Sequence, residues 1–152
     1  MIVYRISTKK RIENITGVGA KLAGGRWNPK GLPALYTASN SSLAILETLV
    51  HVDFDLLPLD LFIAEIKIPD TNSIQVIKKE DLPKNWSTYP SPDILKQIGK
   101  NWIVKNEFLI LKVPSSVNQN EFNFIINPNH ELFSSIKIIQ TYSYKIDDRL
   151  KK

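Results

Sequence analysis

The 152-residue sequence contains no cysteine. That absence excludes disulfides, thiolate metal sites and cysteine nucleophiles. Its two histidines, His51 and His130, are far apart in the chain, so no metal site is expected. No apolar run approaches the ~18 residues of a membrane span, and the opening MIVYRISTKKR has no apolar core of a signal peptide. A cytoplasmic protein without membrane contact is the expectation. The glycines form neither GxGxxG nor a Walker loop, and HExxH and GxSxG are missing. A serine triad would have to join Ser115 or Ser116 to His51 or His130, with no nucleophile elbow to support it.

Acidic residues are the scarcer charge: 15 against 20 lysines and arginines, a formal charge of +5. The cations are scattered, grouped only at Lys9-Lys10-Arg11, Lys78-Lys79 and the terminal Arg149-Leu150-Lys151-Lys152. A nucleic-acid binder concentrates its charge on one face or interleaves it with aromatic residues. The dispersed pattern suits an anionic small ligand or an acidic protein partner equally well. A hydrophobic fraction of 43% and a charged fraction of 23% fit a globular chain long enough to bury a core as one domain, residues 1–152, with a polar tail from about Asp147.

Along the chain, Ile2-Val3-Tyr4-Arg5-Ile6 alternates as a strand, with Arg5 either a solvated edge residue or one that reaches a site. Residues 7–22 carry no strong period and read as a loop. Further strands are expected at Ala34–Thr37, Leu61–Ile68, Ser73–Ile77, Phe108–Val113 (a central one), Asn123–Ile126 and Ile136–Tyr144, with a single helical turn at Glu131–Ser134. Ser91-Pro92-Asp93 reads as an N-cap, a proline at the first helical position and an acid favoured by the helix dipole, opening a helix to about Val104. Lys78 to Pro90 is a polar loop in which Trp86 most simply staples the loop to the core. Ser115 and Ser116, after Pro114, read as a turn with serine-to-backbone bonds. Short strands interrupted by two helices indicate an α+β fold.

The densest stretch is Gly24–His51, GGRWNPKGLPALYTASNSSLAILETLVH. Gly24-Gly25 and Asn28-Pro29-Lys30-Gly31 are turns that hold Arg26 and Trp27 at a bend. Asn40-Ser41-Ser42 offers N-caps for a helix from about Ser42 to Val52, whose apolar stripe is Leu43, Leu46 and Val50, widened by Ile45 and Leu49. Glu47 lies at the edge of that stripe, with His51 one turn on. Two readings of Glu47 stand: a narrow solvated arc with Thr48 and His51, or a carboxylate facing a cleft whose far wall is the Arg26 loop.

Taken together, Tyr4-Arg5, Gly24-Gly25-Arg26-Trp27-Asn28, Leu35-Tyr36-Thr37-Ala38, Ala44 to His51, the Leu82–Pro90 loop, Val113-Pro114-Ser115 and Asn123…Asn127-Pro128…His130 resemble the RES-domain family over nearly the whole chain. That family is the toxin half of bacterial RES–Xre toxin–antitoxin pairs. The resemblance implies a fold related to ADP-ribosyltransferases and NAD+ as a substrate, with no separate cofactor. It carries Arg26, Glu47 and Ser115 over as the namesake residues, with Tyr36 beside them and Arg5, Trp27, His51 and Asn127 as further candidates for the NAD+ site. It also implies a cognate Xre-type helix-turn-helix antitoxin that contacts DNA in this chain's place, in a complex compatible with an oligomer. ADP-ribose would pass to water, phosphate or a protein. A basic, non-enzymatic binding module is the competing reading, and it predicts affinity that falls steeply with salt.

Overall fold

The strands alternate apolar residues on both faces, so the sheet they form must be covered on both sides. In the computed structural model, which describes residues 1–150, the strands are β1 (Ile2–Thr8), β2 (Leu35–Ala38), β3 (Leu61–Lys67), β4 (Ile74–Val76), β5 (Ile110–Pro114), β6 (Phe122–Ile126) and β7 (Lys137–Ser143). They form one sheet in the order β4-β5-β6-β2-β1-β3-β7. The pair β4–β5 is parallel and the other neighbours are antiparallel. This is the expected α+β architecture, built on one mixed sheet. β2, not β5, occupies its middle.

On one face Val3, Leu35, Ile110, Phe124 and Ile126 pack with Ile66, Ile68 and Ile136. On the other, Leu111, Val113 and Ile125 pack under Leu95, Trp102 and Ile103 of helix α3 (Asp93–Lys105), together with Trp27 and Trp86. Trp86 is buried, so it does staple its loop to the core. Helix α2 (Ser41–Leu49) covers the same face farther along, laying Leu43 and Ala44 on Ala38, Tyr4 and Ile6. The expected start of α3 shifts by one residue: Pro92 is the N-cap and Asp93 opens the helix. Among the described residues no helix is long and apolar enough to cross a membrane.

Two expectations about helices need correction. Residues Val18–Ala23 form a short helix, α1, where a loop was expected. It buries none of its residues, so it leaves no amphipathic period to read. α2 stops at Leu49 rather than Val52, and the stripe assigned inward does not stay inward: Leu46 is 39% and Val50 52% exposed. Only the first turn of α2 buries apolar side chains against the sheet. Its start is fixed by Asn40, whose Oδ1 accepts from the Leu43 amide at 2.8 Å.

The sheet has a seam. β1 pairs with β3 from Ile2 to Thr8, and β2 pairs with β6 from Leu35 to Ala38, but β1 and β2 share a single registered pair, Tyr4 with Ala38. Past that pair the strands part. Consecutive residues of each, Tyr4 to Ile6 and Ala34 to Ala38, then line one cleft, which alternation would forbid in a closed sheet.

α3 approaches the Gly24–Leu32 loop closely at Gly99, where a Cβ would collide with the Trp27 carbonyl. Alanine is the better helix former by ~1 kcal/mol, so an open site would gain stability from the exchange. Here Gly99→Ala is expected to destabilise the fold by about 1–3 kcal/mol through overpacking against backbone. Urea unfolding monitored by tryptophan fluorescence checks this, and an unchanged or raised midpoint contradicts the close docking.

Candidate active site

The cleft has a volume of about 1260 Å³, above the ~300–1,000 Å³ usual for small-ligand pockets. The parted ends of β1 and β2 give its floor. α2 supplies one wall with Ala44, Glu47 and Thr48, followed by His51; Gly24–Trp27, Tyr89–Ser91 and Lys96 supply the other. Five cationic side chains line it, Arg5, Lys10, Arg11, Arg26 and Lys96, against the acids Glu47 and Asp93. Charge dispersed along the sequence thus converges in space, as an anionic ligand requires.

Glu47 faces this cleft and not a solvated arc. Ser115 Oγ donates to Glu47 Oε1 at 2.7 Å and Asn123 Nδ2 donates to the same oxygen at 2.6 Å. The direction of the serine bond is set by its surroundings. Ser115 Oγ accepts from the Val117 and Asn118 amides at 3.1 and 3.0 Å, so its own hydrogen goes to the carboxylate. Both donors come from β5–β6: Ser115 at the end of β5, Asn123 within β6. Among the described residues Oε2 takes no hydrogen bond, and no cation stands within ion-pair distance of Glu47. Ser115 is completely buried and its hydroxyl bonds to Glu47, which places it behind that carboxylate. Ser116, the next residue, lines the cleft.

Across the cleft, Arg26 donates from Nη1 to the Trp86 carbonyl at 2.8 Å and from Nη2 to the Thr88 carbonyl at 3.1 Å. Part of the fork remains available to a ligand. Burial lowers the affinity of Arg26 for its proton, and the charge of Glu47 opposes this; an arginine still stays charged. The Tyr36 hydroxyl donates to Asn28 Oδ1 at 2.7 Å and accepts from the Trp27 amide at 3.0 Å. Burial drives its pKa well above the ordinary 10.0, against those bonds and the nearby Arg26 charge. The phenol is therefore neutral and its oxygen is occupied, which leaves the ring, not the hydroxyl, to meet a ligand. Gly25 is obligatory here, since a Cβ would stand 2.5 Å from the Tyr36 oxygen. The Gly24 and Gly25 amides are spent on the Ala20 and Asn28 carbonyls.

The remaining candidates separate. Arg5 lines the cleft, and its Nη1 donates to the carbonyls of Arg11, Ile12 and Asn14 at 3.1, 2.9 and 2.9 Å, which holds the cationic turn at the cleft. Burial lowers its pKa. His51 lines the cleft beside Tyr89, their ring centroids 5.9 Å apart, with no bond to Glu47 that would tune it. Trp27 borders the cleft but is 2% exposed, its ring locked in the core. Asn127 is also fully buried, away from the cleft: it donates to Asn106 Oδ1 at 2.8 Å and accepts from the Asn129 amide, tying β6 to the end of α3. His130 caps the following 3₁₀ turn through Nδ1, far from any triad with Ser115.

Two residues of the site were not singled out from sequence. Asn28, fully buried, donates to the Ala20 and Leu32 carbonyls at 2.9 Å each and to that of Pro29 at 3.2 Å, while it accepts from Tyr36. From sequence it is a turn residue and the last position of the Gly24–Asn28 motif, with no role at the site assigned to it. Asn123 carried a legible signal: an amide between two phenylalanines in an apolar strand needs a partner on a buried face.

Comparison with known proteins gives the family of the chain. The family model described as RES domain matches residues 2–147. "Toxin Res" of Yersinia enterocolitica is 39% identical over 99% of this chain and 100% of its own length. "Prs ADP-ribosylating toxin" of a Sphingobium strain is 35% identical over 97% of this chain and 94% of its own. Among solved structures, the Mycobacterium tuberculosis MbcT–MbcA toxin–antitoxin complex contains a chain that superposes with a TM-score of 0.77 at 16% identity, over 95% of this chain and 84% of that one, a likeness of fold. With the family model spanning almost the entire chain and full-length relatives above 30% identity, this protein belongs to the RES-domain family.

Proposed function

We propose that this chain is the toxin of a toxin–antitoxin pair and that it binds NAD+ in the cleft and breaks the bond between nicotinamide and ribose. The observation that carries the reading is the Glu47 carboxylate, braced through one oxygen and open at the other, in a cleft lined by five cationic side chains. As the glycosidic bond breaks, its electron pair stays with the nicotinamide nitrogen and neutralises the ring. The sugar becomes an oxocarbenium ion. Because the leaving group departs neutral, no strong general acid is needed. What the reaction needs is a fixed negative charge beside the sugar, and Glu47 is held for that role.

Arg26 and Arg5 suit the pyrophosphate, with the Arg26 fork matched to paired phosphate oxygens. The Tyr36 ring offers an apolar wall to a flat base. Ser115 and Asn123 are positioning residues: they fix Glu47 and act through it. ADP-ribose then passes to water or phosphate in one version, or to a protein in another that the name of the Sphingobium relative favours. The form of the ribose product separates these outcomes.

An antitoxin partner of the Xre helix-turn-helix type is part of the proposal. Its support is the named pairing of the structural neighbour and a run of exposed apolar residues on and after the α2 wall: Leu46 at 39%, Val50 at 52%, Leu56 at 74% and Leu59 at 102%. Exposed apolar residues beside the cleft wall suit a covering partner.

Incubation of the purified chain with NAD+, followed by chromatography of nicotinamide and ribose products with and without phosphate, tests the reaction. Glu47→Gln is expected to slow nicotinamide release by roughly 10²–10³-fold with little change in KM, because it removes charge that acts mainly on the transition state. An unaltered rate removes Glu47 from the chemistry. Ser115→Ala is expected to lower kcat by up to about 10²-fold at nearly constant KM, as a loosened carboxylate loses its alignment. If KM rises instead while kcat holds, Ser115 contacts the ligand and the bracing role is wrong.

A further inference from the structure

The loop before α3 carries an aromatic ring that the fold does not use. Tyr89 is 82% exposed, yet it lines the cleft and faces His51 on the opposite wall, the ring centroids 5.9 Å apart and the planes tilted by 54°. Anchorage of the loop does not require it. Trp86 is buried in the core, Arg26 holds the Trp86 and Thr88 carbonyls, and Thr88 Oγ1 donates to the Asn85 carbonyl at 2.9 Å and that of Pro90 at 3.3 Å. Ser87 is held from the β5–β6 turn by Gln119. The backbone on both sides of Tyr89 is thus fixed, and its ring is held out over the cleft mouth.

The neighbours of that ring matter. The same arginine that presents a guanidinium fork to the cleft fixes the residue next to Tyr89, so a phosphate-matched group and a stacking surface from two loops are tied side by side. His51 follows the helix that carries Glu47 and meets Tyr89 from the other wall. A flat ring joined to a phosphate is the chemistry that such a pair of surfaces recognises.

We propose that Tyr89 and His51 form an aromatic clamp at the cleft mouth that stacks on a heteroaromatic ring of the dinucleotide, with Tyr89 as the face and His51 as its prop. The proposal rests on the reading of the cleft as an NAD+ site and adds a ring-specific subsite to it. It separates the roles of the walls: Glu47 acts on the sugar, and the clamp selects ligands that carry a base.

Binding to the full chain carrying Glu47→Gln, which retains the clamp, provides the test, with NAD+, AMP and nicotinamide mononucleotide titrated separately by calorimetry. Adding Tyr89→Ala is expected to weaken NAD+ at least about fivefold, the lower end for loss of one base–aromatic stack, and to weaken by a similar factor the mononucleotide whose ring is stacked. That identifies the base. Tyr89→Phe keeps the ring and is expected to stay within about twofold of its parent. The clamp is overturned if Tyr89→Ala leaves NAD+ affinity unchanged, or if Tyr89→Phe loses as much as Tyr89→Ala. Should the Glu47→Gln chain itself fail to bind NAD+, the dinucleotide reading of the cleft falls, and the clamp with it.

Discussion

The position of α2 depends on one carboxylate oxygen. The helix buries only Leu43 and Ala44 against the sheet, which is little apolar area for nine residues. Its other ties are polar and run to the β5–β6 hairpin. Near its start, Asn40 caps the first turn with Oδ1 and donates from Nδ2 to Glu121 at 2.9 Å. In its last turn, Glu47 receives Ser115 and Asn123 on Oε1. A half-buried carboxylate is costly unless it is hydrogen-bonded, and these two donors offset that cost only while the helix stays in register with the hairpin. The residue best suited to the chemistry is therefore also one of the ties that hold its own wall in place.

The opposite wall follows the same logic with different groups. Asn28 gathers the carbonyls of Ala20, Pro29 and Leu32 and accepts from the buried Tyr36 hydroxyl. Every polar atom of that node has a partner, and a fully satisfied network of this kind is rigid. Gly25 permits the phenol to come close, and Gly99 permits α3 to seat against the Trp27 carbonyl. The bend that carries Arg26 is consequently fixed from below by Tyr36 and from the side by α3.

The sequence made the strands legible because their apolar residues alternate, and it marked Glu47 and Arg26 because a carboxylate beside an apolar stripe and an arginine between glycines are both unusual. It misled about Leu46 and Val50, since periodicity reports which residues share a helix face and not how much of that face the protein covers. Trp27 and Asn127 were candidates by association with a motif. Their burial shows that a motif includes the residues that build a site as well as those that touch a ligand. The seam between β1 and β2 left no trace in either strand, because each is fully paired on its other side.

That seam decides what the charges can do. Arg5, Lys10 and Arg11 from the start of the chain meet Arg26 and Lys96 at the cleft that the parted strands open. A contact ion pair between Arg26 and Glu47 would spend both groups on each other. Instead, the Trp86 and Thr88 carbonyls hold the guanidinium on its own wall, and Ser115 and Asn123 hold the carboxylate on the other. The two groups face one cleft without forming a contact ion pair, so neither neutralises the other. A ligand whose anionic part and developing cation sit at different points along its length matches that separation, and an isolated phosphate or an isolated sugar does not.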